Sequence, residues 1–326
     1  MDPFLFCVHH LDHYPASETD LGLKPASLQG RSVGSDFSGT DGWSMYHGTE
    51  VPGFPQHPHR GFETVTVTRQ GFIDHADSMS AAARYGRGDV QWLTAGAGVV
   101  HAEMFPLLDK DGPNTAELFQ LWLNLPRANK MVQPYFTMLW SEEVPVTRLV
   151  SDRGTATVTV VAGSFGETKA LPPPPNSYAA AAESDVAIWT IQLEAESSVV
   201  LPPAGPESVR ILYVFGANSL TVDSATIEPN HGAVVDSLRE HTIWAAQATE
   251  VLVLQGKPIG EPVAQYGPFV MNDRAGIEQA YADYQRTQFG GWPWPTDGPT
   301  HGPTPARFAK RPDGSLELPP GSDPIG

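Results

Sequence analysis

The run His57-Pro58-His59-Arg60-Gly61-Phe62-Glu63-Thr64-Val65-Thr66-Val67-Thr68 decides how the chain is read. From Thr64 to Thr68 it is β-branched at every position and alternates Thr with Val, the two-residue period of a strand. Similar runs between residues 35 and 125 are broken by glycine-bearing turns at Gly86 to Asp89 and Gly96 to Gly98, which predicts an antiparallel barrel or sandwich. Side chains two apart on a strand share a face, so His57 and His59 project together. Extending the alternation places them on the parity of Val65 and Val67, facing the barrel interior.

Working outward, Val99-Val100-His101-Ala102-Glu103 repeats that geometry, with His101 and Glu103 on the face of Val99. Among eleven histidines one His-x-His means little; a second pair just after a Gly-rich turn changes the reading. Four inward ionisable groups without a partner would carry a desolvation cost that a barrel interior tolerates poorly. Three neutral imidazoles and one carboxylate suit one transition-metal ion, Fe, Ni, Co, Mn, Zn or Cu, rather than Mg or Ca. Around an octahedral ion two positions stay open. Phe54 and Gln120 are the candidate pocket residues by strand position. Arg60, beside the ligand pair, can hold a substrate anion at the rim or an internal carboxylate.

A second set of strands, Thr157 to Ala162, Val186 to Leu193, Val209 to Phe215 and Glu250 to Gln255, predicts a second β domain. Its first two strands are separated by a Pro-rich loop, Leu171 to Tyr178, whose four prolines cannot donate to a ladder. No His-x-His or His-x-Glu occurs there, and His231 and His241 stand alone, so this barrel is expected to hold no metal. From Arg274 to Arg286, Ile277, Ala280, Tyr281 and Tyr284 fall at helical spacing behind Asn272 or Asp273 as cap. The tail from Gly290, carrying Trp292, Trp294, Arg307, Lys310 and Arg311, is expected to be extended and to wrap the body. The expected division is 1–148, 149–272 and 273–326.

Composition narrows the function classes. The 326 residues include 31 Gly and 31 Pro, which favours turn-rich β structure. A net charge of −17 opposes counterion release from nucleic acid, so direct nucleic-acid binding is not expected and any role in gene control would run through another protein. The single Cys7 rules out an internal disulfide and a thiolate metal site. Asp2 and the early His9-His10 do not fit a signal peptide, and no run approaches ~18 apolar residues. The expected compartment is cytoplasmic, or nuclear in a eukaryotic source, without membrane contact.

The runs His57 to Val65, Gly88 to Gly96 and Gly98 to Met104, with Tyr266-Gly267-Pro268-Phe269-Val270-Met271-Asn272 before the last helix, resemble the pirin family of the cupin superfamily. The similarity spans residues 30 to 290. It implies an all-β bicupin of two antiparallel jelly-roll barrels, with iron in the first, held by His57, His59, His101 and Glu103. It also implies a quercetin 2,3-dioxygenase type of activity on a flavonol-like aromatic with O2, in which Glu103 is both ligand and proton acceptor. A second family-derived role is that of a non-enzymatic, metal-dependent regulator docking on a transcription factor or metabolic enzyme. In general cupins the glutamate after the His pair, here Glu63, is often a ligand; the pirin pattern points instead to Glu103 and leaves Glu63 as support. His75, in a stretch typical of pirins, reads as a hydrogen-bonded structural residue.

Overall fold

The computed structural model describes residues 1–322. The first strands are β1 (Phe4–Tyr14), β2 (Gly53–His59), β3 (Phe62–Gln70), β4 (Phe72–Asp77), β5 (Ala82–Gly86), β6 (Val90–Thr94), β7 (Val99–Met104), β8 (Asn114–Asn124) and β9 (Tyr135–Leu139). They form two sheets, β1-β8-β3-β6-β9 and a second that begins β2-β7-β4-β5. The resulting core holds Ile73, Tyr85, Leu93, Phe105, Phe136 and Trp140, all nearly inaccessible. β2 lies at a sheet edge, where Pro58 removes a donor that no ladder requires. Gly61, at φ +84°, makes the turn into β3, and a Cβ there would meet the Val270 carbonyl oxygen at 2.0 Å.

The second set comprises β10 (Val146–Ser151), β11 (Gly154–Ala162), the short β12 (Ser164–Phe165) and β13 (Thr168–Lys169), β14 (Ala187–Leu193), β15 (Ser198–Leu201), β16 (Val209–Val214), β17 (Leu220–Val222), β18 (Ala225–Ile227), β19 (His231–Val235), β20 (His241–Trp244) and β21 (Thr249–Gly256). Its two sheets run β10-β11-β14-β21-β16-β19 and β15-β20-β17-β18. Inward residues such as Val158, Trp189, Leu212 and Val253 make an apolar core. The Pro-rich loop lies between β13 and β14, ending in a short 3-10 turn at Tyr178–Ala180.

The chain closes with the hairpin β22 (Ala264–Tyr266) and β23 (Phe269–Met271), the helix α1 (Arg274–Thr287), and β24 (Phe308–Lys310) and β25 (Leu316–Glu317). Asp273 caps α1 by accepting from the Gly276 amide, and Ile277 and Ala280 pack against Phe269. The tail is not merely extended: β24 pairs with β5 and carries β25, lengthening the β2-β7-β4-β5 sheet. Its basic residues are internal ties, Arg307 to Asp89 and Glu142, and Arg311 to Glu317 and the Phe136 carbonyl.

Contacts divide the chain into Met1–Leu5 with Glu143–Gly260, and Phe6–Glu142 with Glu261 onward. These boundaries differ from 148/149 and 272/273, and the described residues from 273 to 322 are not a separate segment. β10 already pairs with β11 from Val146, whereas the tail's strands complete the sheet of the first barrel.

Candidate metal centre

β2 and β7 run antiparallel with His57 opposite His101 and His59 opposite Val99, so the two His-bearing strands present one face. One ring nitrogen from each of His57, His59 and His101 lies within 4.8 Å of the others. The centroid of His101 is 4.5 Å from that of His57 and 4.9 Å from that of His59. His57 Nδ1–H donates to the Pro55 carbonyl at 2.8 Å, a partner that can only accept, which fixes the tautomer and leaves Nε2 with a lone pair. Neither nitrogen of His101 has a hydrogen-bond partner, nor has Nδ1 of His59. Orphaned buried imidazole nitrogens cost free energy unless something accepts their lone pairs. A transition-metal ion fits this donor set.

Electrostatics agree. Burial pushes the His57 imidazole down to about 4. It pushes His59 and His101 well below the ordinary histidine range, with His57 adding to the cost of a proton on either. All three are therefore neutral near pH 7, the form that ligates.

Glu103 sits beside this group: its Oε2 is 3.8 Å from His101 Nε2, and it is 6% exposed. The Thr66 hydroxyl is 3.0 Å from Glu103 Oε1 and 2.7 Å from Gln120 Oε1, so one proton serves two acceptors. Tyr85 and Gln120 approach the carboxylate at 3.5 Å. Burial raises the Glu103 pKa above the usual carboxylate value, and the neighbouring His75 and the Thr66 and Tyr85 contacts oppose that rise.

Thr66 corrects the parity expected from the sequence. Because Thr66 faces Glu103, the site side of β3 is Thr64, Thr66 and Thr68, and Val65 and Val67 lie on the opposite face. The turn at Gly61 breaks the alternation between β2 and β3. Glu63 therefore faces away from Thr66 and accepts from the Thr94 hydroxyl at 2.6 Å. Arg60 is not at the pocket rim either. It is 5% exposed, binds Asp283 of α1 and the Ala97 carbonyl, and lies over Phe289, so it takes an internal carboxylate.

A cavity of about 1120 Å³ opens onto His57, His59 and Glu103. Phe54 and Gln120 line it, and so does Trp122. Phe54 stands opposite Glu103 across β2 and β7. Two features escape the sequence. Thr66 and Tyr85 hold the carboxylate, a role signalled only by register, and Pro295 to Thr300 of the tail form part of the cavity wall. His75 is hydrogen-bonded to Asp77 at 3.2 Å, on the interior face, with its ring 5.6 Å from that of His101. In the other barrel, His231 and His241 are hydrogen-bonded within their own strands and loops. Among the described residues no helix is long and apolar enough to cross a membrane.

Residues 27–123 match the family described as Pirin, and residues 188–290 match the Pirin C-terminal cupin domain. A protein of Pseudomonas aeruginosa whose name gives quercetin 2,3-dioxygenase as a provisional activity is 34% identical over 238 residues, covering 73% of this chain and 79% of its own. A pirin-like protein of Solanum lycopersicum is 35% identical over 241 residues, 73% of this chain and 77% of its own. The crystal structure of a quercetin 2,3-dioxygenase from Acinetobacter baumannii is similar with a TM-score of 0.67 at 29% identity, covering 89% of this chain and 99% of that one. With both family domains matched in the order of its two barrels, and relatives of this identity across nearly three quarters of its length, the chain belongs to the pirin family of bicupins.

Proposed function

We propose that this protein is an iron-dependent dioxygenase that opens a flavonol-like aromatic ring with O2, with the ion held by His57, His59, His101 and Glu103. The observation that carries the reading is the meeting of two features: imidazole nitrogens with unclaimed lone pairs, and a large cavity with aromatic walls leading to them. When bound, the ion supplies Lewis-acid polarisation of the substrate and the one-electron chemistry that O2 requires. The chain's own residues do the rest. Phe54 and Trp122 offer faces against which a planar ring system packs. Glu103, made more basic by burial, accepts the proton of a substrate hydroxyl, and Thr66 and Gln120 hold the carboxyl group in place through the transfer. A cytoplasmic setting agrees with the lone Cys7.

The regulator reading needs the metal to be coupled to an exposed patch. An open cavity at the imidazoles favours substrate entry instead. The test is metal analysis of protein purified without added metal, followed by aerobic assays of the metal-free and iron-reconstituted protein with quercetin. Iron-dependent O2 uptake in step with flavonol loss is expected. Stoichiometric iron without flavonol consumption would overturn the activity and leave the metal site standing.

A further inference from the structure

The outer wall of the cavity is built by residues 295–300, which lie beyond both stretches matched to the family, the second of which ends at residue 290. This strap is pinned on either side. Before it, Trp294 Nε1–H donates to the Asp77 carbonyl at 2.8 Å; after it, the His301 amide donates to Asp74 Oδ2 at 2.9 Å and the His301 ring bonds the His75 carbonyl at 2.8 Å. Further on, Arg84 binds the Thr304 carbonyl and β24 pairs with β5. Between these anchors the chain crosses the cavity and touches the ligand-bearing strand.

That contact exists because β2 and β7 lose register between Phe54 and His57. The irregularity withdraws Gln56 from the ladder, and its amide donates instead to the Asp297 carbonyl at 2.7 Å. The Gln56 side-chain amide also donates to Asp297 Oδ1 at 2.7 Å. Next to it, a Cβ on Gly298 would come within 2.8 Å of Met104 Sδ, so the strap lies directly on the residue after Glu103. Asp297 is thereby held exposed in the cavity wall.

The lining is aromatic and without fixed cations. Phe6, Phe37, Phe54, Phe105 and Trp122 contribute rings; Glu50, Glu103 and Asp297 contribute carboxylates; no Lys or Arg takes part among the described residues. Building on the flavonol reading above, we propose that the strap Pro295 to Thr300 makes this cavity selective for uncharged, hydroxylated planar aromatics, Asp297 being the residue that turns away analogues bearing a sulfate or carboxylate. A neutral ring system packs on the aromatic wall and its hydroxyls reach Gln56 and Asp297. An anionic substituent at the same place meets a carboxylate with no Lys or Arg beside it among the described residues of the lining.

The experiment compares binding of quercetin and of a quercetin monosulfate to metal-loaded, anaerobic full-length protein by calorimetry. The comparison is repeated with Asp297→Asn and Asp297→Lys, with metal content and melting temperature measured alongside. An exposed charge at contact distance predicts roughly fivefold preference for the uncharged ligand at low salt, shrinking as salt is raised. Asp297→Asn should remove most of that preference and Asp297→Lys should reverse it, with metal content unchanged. Equal binding of the two ligands by the native chain, or an unaltered ratio in Asp297→Lys, overturns the inference while leaving a flavonol site in place. Failure of the metal-loaded native chain to bind either ligand overturns the flavonol reading itself, and the inference with it.

Discussion

The two barrels are both two-layered and antiparallel, yet they treat buried histidine in opposite ways. In the second, His241 is 3% exposed and both its nitrogens are engaged, Nδ1 with Asp223 at 2.9 Å and Nε2 with the Asp236 carbonyl at 2.7 Å. Neither nitrogen is left free for an ion. In the first, His101 is fully buried with both nitrogens unbonded, beside His57 and His59. A protein interior accepts a polar group when it is satisfied; groups left unsatisfied together point to a missing partner. The same architecture therefore carries an apolar core in one barrel and a receptive site in the other.

The largest expected effect separates the barrels by metal content. His101→Ala removes one member of the group of three and should lower affinity by more than the ~10- to 100-fold typical of a residue that only supports a ligand. His241→Ala should leave stoichiometry unchanged in mass spectrometric metal analysis. Depletion by His241→Ala alone would break the contrast.

Next in size is stability without metal loss. Ile191 is fully buried in the second core, and Ile191→Ala should cost ~2–5 kcal/mol in chemical denaturation. Metal bound per folded molecule should not change. Loss of metal from the folded fraction would mean that the two barrels are coupled.

A third effect depends on pH. His57, His59 and His101 have folded-state pKa values depressed by burial, so the unfolded chain binds more protons than the folded one below ~6.5. Their stabilisation is complete above that pH and is lost progressively as pH falls below it, the His57 share down to its folded value of about 4. Metal-free protein should thus lose on the order of 1 kcal/mol or more between pH 7 and pH 5. His57→Gln should flatten the slope. Metal should raise the melting temperature at pH 7 and do so less at pH 5, because protons compete for the same nitrogens. A melting temperature that ignores metal at pH 7 would argue against a preformed site.

The smallest effect, expected at Glu63, refines the assignment within the first barrel. Glu103→Gln should weaken metal binding by at least ~10-fold and abolish flavonol turnover, since an amide neither carries charge nor accepts the substrate proton. Glu63→Gln, on the far face of β3, should change metal affinity by less than ~3-fold, below what residues supporting a ligand usually show. The reverse ranking, read by competition with a chelator, would sink the assignment.

Much of this was legible in the chain itself. Two residue pairs at strand spacing, His57 with His59 and His101 with Glu103, carry their same-face geometry in the two-residue period, which no tertiary context alters. Antiparallel strands, the Gly turns and helix α1 with its Asp273 cap likewise follow from local chemistry. What the tertiary structure decided is whatever depends on relations across strands. Parity does not survive the turn at Gly61, so the face of Glu63 could not be read from its distance to His59. Thr66 meets Glu103 only through the register of β3 with β8 and the packing of one sheet on the other. Arg60 finds Asp283, and Asp297 finds Gln56, across more than two hundred residues, because strand pairing and packing bring distant segments together with no sequence period to announce it.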